Sequence, residues 1–257
     1  MVNKIVEMLK EVVEWNPRPA VFISGGLDST ILLHHLNEIK QVDEIRTYTV
    51  GIEEDNEFPY AEKVAEYYGT KHKNIVAKNI LKEYLPIIGL MDRPRFNLWV
   101  KFAYKTAAED GIRNVYIAEG LDEHFGGYED RPPASPQETW AGVIEWSIPT
   151  HRQVANIYGI ALHTPYIRLP LRETIKYWRS PHEVGISKRE LRRAYKNIIP
   201  EFVLSRRKKA GRINWEIPSI WEREIQPYLK IDTPKTHTEA NRLINKWITA
   251  RWLEAQP

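Results

Sequence analysis

The 257 residues carry 37 Lys and Arg against 34 Asp and Glu, a formal net charge of +3, with 42% apolar and 28% charged residues. That balance suits a soluble globular protein large enough to bury a proper core, and no apolar run approaches the ~18 residues a membrane helix needs. The absence of cysteine excludes disulfides, thiolate metal sites, cysteine nucleophiles and persulfide chemistry within this chain.

Met1-Val2-Asn3-Lys4 leads into an amphipathic pattern with Glu7, Lys10 and Glu11, not into a signal peptide, so a cytoplasmic location is expected. Ile5, Val6, Leu9, Val12 and Val13 recur at helical spacing over 3–15, and Asn16-Pro17 ends that helix. Ala20-Val21-Phe22-Ile23 is too short for a helix and suits a buried strand, while Ile31, Leu32, His35 and Leu36 recur at helical spacing. Ser24-Gly25-Gly26-Leu27-Asp28-Ser29 therefore turns a strand into a helix. Such a turn presents backbone N–H groups and the positive end of a helix dipole to an anion, and the two glycines allow close backbone approach. Asp28 would repel a phosphate unless a divalent cation lay between them. The plain alternative is a Gly-Gly turn with Ser and Asp as helix caps.

A second strand spans 45–50, and an acidic loop with Glu53, Glu54, Asp55 and Glu57 follows Gly51. Pro59 opens a helix that runs to Tyr68 and Gly69 closes it; a third strand lies near 72–76, helices at 78–89 and 97–110, and a fourth strand at 115–118. Strands alternating with helices predict an α/β fold, a parallel sheet with helices on both faces. The loops after strands one, two and four should then converge beyond the carboxyl ends of the strands. After the proline-rich 131–136 the β signal fades and the chain reads as mainly helical. Its last helix opens at a capping box, Thr236 to Glu239, with a Leu243, Ile244, Trp247 and Ile248 stripe. That stripe docks on its own domain or, as the weaker reading, forms a dimer contact.

Strand four ends in Glu119-Gly120-Leu121-Asp122-Glu123-His124-Phe125-Gly126-Gly127-Tyr128, where three carboxylates among glycines make a poor core and a good metal or catalytic site. A solvated acidic turn is the alternative. Lys188 to Arg212 hold ten Lys or Arg against two Glu, a solvated helix face or a polyphosphate or nucleic-acid contact.

The Ser24–Ser29 hexad resembles the pyrophosphate loop of the PP-loop ATP pyrophosphatase superfamily, and no Walker-type loop occurs. The Glu119 turn is similar to the G-E-G-x-D-E-L-F-G-G-Y block of asparagine synthetases, departing from it at Ala118 and His124. Lys188 to Leu191, Ile199-Pro200-Glu201 and Arg206-Arg207-Lys208 resemble that family's K-x-x-L-R, L-P-E and R-x-K blocks, so the likeness covers about residues 18–212. It implies an adenine nucleotide alpha hydrolase-like fold and one domain over 1–257, with a nucleotide-binding α/β core at 1–130 and a mainly helical extension at 131–257 completing the site.

The resemblance further implies ATP as substrate with Mg2+, adenylation of a carboxylate with release of pyrophosphate, and attack by ammonia or another amine. Aspartate is the default carboxylate. Ser24, Gly25, Gly26, Asp28 and Ser29 would hold the pyrophosphate end, with Asp28 and Asp122 on magnesium. Leu27, Val50, Ala118 and Gly120 would border the rest of the nucleotide. Lys208 would neutralise the departing pyrophosphate, and Glu119 would serve the amine as base or charge stabiliser.

Family members carry an amino-terminal cysteine that hydrolyses glutamine. This chain has no cysteine, so free ammonia, a separate glutaminase subunit or another amine is expected. His163-Thr164-Pro165-Tyr166-Ile167-Arg168 stands where synthetases have R-x-P-F-L-D, which changes either the substrate or a structural pair. His34 and His35 read as ordinary helix residues on different faces. His124 and His163 are weak candidates for substrate contact, and Trp140 and Trp146 could line a lid. The competing readings are a tRNA-modifying PP-loop enzyme, with nucleic acid the weaker partner, and an ATP-binding subunit of a split amidotransferase.

Overall fold

A computed structural model describes residues 2–39, 44–54, 56–92, 100–129, 135–207 and 213–256. Five parallel strands form one sheet: β1 (Pro19–Phe22), β2 (Arg46–Gly51), β3 (Lys71–Val76), β4 (Asn114–Tyr116) and β5 (Ala161–His163), in the order β3-β2-β1-β4-β5. Val21 pairs with Thr47 on one side and Tyr116 on the other, and Tyr116 in turn pairs with His163. The first four strands fall within a residue or two of the sequence expectation. The fifth departs from it, lying beyond residue 130 where the β signal fades, so the sheet draws on both parts of the chain.

Helices cover both faces. In chain order the first eight are α1 (Val2–Glu11), α2 (Leu27–Glu38), α3 (Phe58–Tyr68), α4 (Ile80–Ile88), α5 (Val100–Glu109), α6 (Leu121–Phe125), α7 (Pro136–Gly142) and α8 (Ile148–Ile157). Short helices come next, α9 (Leu171–Thr174), α10 (Pro181–Val184), α11 (Arg189–Ala194), α12 (Glu201–Leu204), α13 (Pro218–Glu224) and α14 (Gln226–Leu229), and the long α15 (His237–Glu254) ends the described chain. Strand alternation divides the apolar residues into two cores. Ala20, Tyr48, Val115 and Ile117 face α4, α5, α8, α13 and α15. Val21, Ile23, Ile45 and Tyr116 face α1, α2, α3 and the helices after α8 that include Leu191 and Val203. Gly69 closes α3 in the left-handed region at φ 62°, as its position after a helix predicts. On α15 the expected stripe docks on its own chain: Ile244 and Ile248 are buried with Leu243 and Trp247 packed beside them.

The strand order fixes where a site forms. From β1 the chain moves outward to β2 and β3, then returns to place β4 on β1's other side. The crevice between the carboxyl ends of β1 and β4 is therefore the switch point of the sheet. The turn after β1 is the Ser24–Ser29 hexad, and the turn after β4 begins at Glu119.

Candidate active site

Backbone geometry explains the hexad. Gly25 sits at φ +68°, and a Cβ there would lie 2.4 Å from the Tyr60 carbonyl carbon at the start of α3. Glycine alone among the amino acids, lacking a Cβ, accepts that conformation together with so close an approach. Gly26 caps α2. The hydroxyls hold the loop's shape: the Ser24 N–H donates to Ser29 Oγ at 3.3 Å, the Gly26 N–H donates to Ser24 Oγ at 3.3 Å, and Thr30 donates to the Gly26 carbonyl at 2.8 Å. Asp28 is in the first turn of α2, with its side chain 20% exposed. Leu27 is buried in the core under the loop, while Val50 and Ala118 are half-buried at the ends of their strands.

Across the crevice, Gly120 at φ +108° turns the chain from β4 into α6, in a backbone conformation that side chains rarely adopt. Glu119 remains about one-third exposed, and Asp122 turns inward over Gly127, where an added Cβ would stand 1.6 Å from Asp122 Oδ1. The two turns meet at Lys188. Its ammonium lies 2.5 Å from Asp122 Oδ1 and also pairs with Asp28 Oδ2, while its side chain is only 2% exposed. The Lys188 N–H donates to the Gly126 carbonyl at 3.0 Å, fixing the start of α11 against the turn. An ion buried this deeply persists only when paired on both sides.

A second cation ties the first loop to the second. Arg206 donates to the Ser24 carbonyl at 2.9 Å, pairs with Glu57 in the β2–α3 connection, and lies 3.9 Å over the Tyr60 ring. The expected convergence of the loops after strands one, two and four thus has its physical agents in Lys188 and Arg206. In the sequence both residues sit in basic blocks, and neither is assigned this part there. The signal is present, as single cations in blocks of a known family rather than in a charge run.

Behind Glu119 stands a buried polar pair. His151 Nε2 is 3.9 Å from Glu119 Oε1, and His151 Nδ1 is 2.9 Å from the Tyr104 hydroxyl. Burial lowers the His151 imidazole to about 4 and raises the Tyr104 phenol, which Glu119's charge raises further. Glu123 is buried and hydrogen-bonded by Tyr128, and burial followed by the Asp122 charge pushes its carboxyl well above the usual range.

Other expected candidates lie elsewhere. Lys208 falls outside the described residues. His124 is fully buried and bound to the Thr174 hydroxyl and Tyr166 carbonyl, with Trp140 packed 4.7 Å from its ring. His163 stacks on Tyr116 and meets Asn114 Oδ1 at 3.0 Å. Arg168 reaches back to the segment after α1, 2.7 Å from Glu14 and on the Val12 carbonyl. His34 and His35 do not diverge as expected, for both reach Glu38, at 3.8 and 3.0 Å. Within 188–207, Lys188, Arg192 and Arg206 turn inward, Arg192 donating to the Ser187 and Arg206 carbonyls.

Asp28 and Asp122 offer hard oxygen ligands from two rigid turns to one cationic position, a donor set that fits magnesium. The Lys188 ammonium shares those carboxylates.

The sequence profile described as asparagine synthase matches residues 9–163. The chain belongs to the asparagine synthase family. A curated relative, the glutamine-hydrolysing asparagine synthetase of Bos taurus, is 24% identical over an alignment covering 83% of this chain and 43% of that protein. The chain thus spans less than half the length of that family member. Among solved structures, an NMN synthetase from Francisella tularensis is similar at 14% identity and a TM-score of 0.44, covering 100% of this chain and 94% of that one. The U34-tRNA thiolase NcsA from Methanococcus maripaludis is similar at 14% identity and a TM-score of 0.42, covering 82% of each chain. At those scores neither likeness bears on function.

Proposed function

We propose that this asparagine synthase family chain is an ATP-dependent amide-forming ligase, with aspartate as the default carboxylate and ammonia or another amine as nitrogen donor. The observation that carries the proposal is the Lys188 ammonium held between Asp28 of the first loop and Asp122 of the fourth-strand turn. It supports a single polyphosphate site at the switch point, built from both family motifs.

In this reading Ser24, Gly25, Gly26 and Ser29 cradle the pyrophosphate end of ATP at the N-terminus of α2, where dipole and backbone N–H groups favour anions. Val50, Ala118 and Gly120 border the adenosine; Leu27 supports the loop from below. Asp28 and Asp122 would hold magnesium, which supplies charge screening of the phosphates. A substrate carboxylate oxygen attacks the α-phosphorus and the bond to pyrophosphate breaks, leaving an acyl-adenylate. Lys208 is the cation assigned to the leaving pyrophosphate. The amine nitrogen then attacks the acyl carbon, the bond to AMP breaks, and Glu119 takes the proton the nitrogen loses. Lys188 holds Asp28 and Asp122 in place throughout.

We read the described chain as one unit, 1–130 providing the nucleotide face and 131–257 completing it through Lys188 and Arg206. With no cysteine among these 257 residues, the nitrogen donor in this reading is free ammonia, another amine, or ammonia released by a glutaminase. Lys188, Arg192 and Arg206 turn inward, so these three of the ten basic residues serve the site and not a nucleic-acid surface.

The test is pyrophosphate release from magnesium-ATP across a panel of amino acids with ammonium, with AMP and amide measured together. Equal amounts of pyrophosphate, AMP and amide with one carboxylate are expected. ADP and phosphate in their place, or no release with any acceptor, would overturn the ligase reading.

A further inference from the structure

We infer that His151, fixed by Tyr104, is the positioning residue that aims and holds the Glu119 carboxylate. This rests on the proposed role of Glu119 as acceptor of the amine proton, and it deepens that role by naming what stands behind the base.

Three features of the geometry carry it. Tyr104 is fully buried on α5, and His151 on α8 is nearly so, yet the imidazole is not a closed core pair. One nitrogen meets the Tyr104 hydroxyl at 2.9 Å, and the other faces the Glu119 carboxylate at 3.9 Å, at the partly open wall of the crevice. The proton's place is set by those two neighbours. A neutral phenol donates to Nδ1, which leaves the imidazole proton on Nε2, pointing at a carboxylate. The opposite tautomer would aim a lone pair at that anion, a repulsive arrangement. Burial keeps the ring neutral in the physiological range, so it offers Glu119 a hydrogen bond without a full charge that would quench its basicity.

A separation of 3.9 Å is longer than a direct hydrogen bond, and a bridging water or a small rotation on substrate binding closes it. The backbone explains how position 151 comes to face the site. A π-helical turn, Val143–Ser147, runs directly into α8. The extra residue of such a turn rotates the succeeding side chains by about 100° relative to an uninterrupted α-helix.

The consequence is separable between the two half-reactions. The carboxylate attack on ATP does not use Glu119, whereas amine attack does. His151→Phe keeps ring volume and removes the donor, so amide formation should fall about tenfold, less than the roughly 10²–10⁴ that loss of a base itself costs, while pyrophosphate release falls less. His151→Gln restores an N–H donor of similar reach and should recover part of the loss. An equal fall in both half-reactions, or no recovery with Gln, would overturn the inference.

A second measurement needs no substrate. In the full chain labelled with 15N-histidine, His151 should be neutral with its proton on Nε2, its resonances identified by their disappearance in His151→Gln. Glu119→Gln should shift the Nε2 resonance, and Tyr104→Phe should mix the tautomers. A proton on Nδ1, or a His151 spectrum indifferent to Glu119→Gln, would refute the coupling. If no acceptor in the panel releases pyrophosphate, the proposed reaction fails, and the spectra still decide whether His151 and Glu119 are coupled.

Discussion

At Lys188 one side chain does the joining that two distant loops need. Its ammonium is buried against Asp28 and Asp122, which come from turns on neighbouring strands, so its removal leaves two carboxylates facing each other in a partly desolvated crevice. Lys188→Met should lower the unfolding free energy by about 3–5 kcal/mol, as loss of one member of a buried ion pair does. Urea denaturation followed by fluorescence measures this. Adding Asp122→Asn to Lys188→Met should return part of the loss, because the surviving carboxylate then has one charged neighbour fewer. A strictly additive double variant would mean that the two side chains are not coupled. Gly127 also sets Asp122's position. A Cβ at Gly127 would stand 1.6 Å from Asp122 Oδ1, so Gly127→Ala must rotate the carboxylate away. Pyrophosphate release should then drop at least tenfold, with the far-ultraviolet circular dichroism retained.

Among the elements, α4 shows how a helix end can be finished from far away. Its N-cap residue, Asn79, lies in the left-handed region and makes no capping hydrogen bond. The Ile80 N–H donates instead to Glu224 Oε2 at 2.8 Å, from a helix 144 residues later in the chain, and Glu224 is itself paired with Arg223. A carboxylate at a helix N-terminus both accepts the orphan donor and complements the dipole. Glu224→Ala should cost about 1–3 kcal/mol, the cost of a buried donor left unpaired, and should speed amide exchange at the first turn of α4 more than in β1. The same element shows the limit of the sequence. Apolar spacing places α4 within two residues, because periodicity is local, but its cap is invisible because the partner is remote. Strand β5 escapes a sequence reading for a related reason: Ala161-Leu162-His163 has no β-branched residue and becomes a strand through pairing with β4. The Ser24 and Glu119 turns are legible because each carries its chemistry within ten consecutive residues. Lys188, Arg206 and His151 act across 160, 182 and 32 positions, and no local pattern reports that.

Over the whole molecule, buried histidines are shared between the two cores and make the fold acid-sensitive. His35 is enclosed beside Tyr195, His124 beneath Tyr166, and His151 behind Glu119. Burial lowers each of the three to about 4 from an ordinary 6.5. The unfolded chain therefore binds these protons at a pH where the native protein does not. Stability from this source is fully present above about pH 6.5 and is lost as pH falls from there through about 4. Because the three rings sit in different parts of the molecule, their contributions add, and together they should remove on the order of several kcal/mol by about pH 4. The expected outcome is a urea midpoint that falls between about pH 6 and pH 4, against the opposing gain from the raised Glu123 carboxyl, which keeps its proton in the native state. His35→Gln keeps a polar group opposite Tyr195 without the titration, so that variant should start less stable at neutral pH and fall less steeply. A midpoint that holds level down to about pH 4.5, or a His35→Gln curve parallel to the parent, would show that these rings accept protons in place, and that the interior around them is wetter than its packing implies.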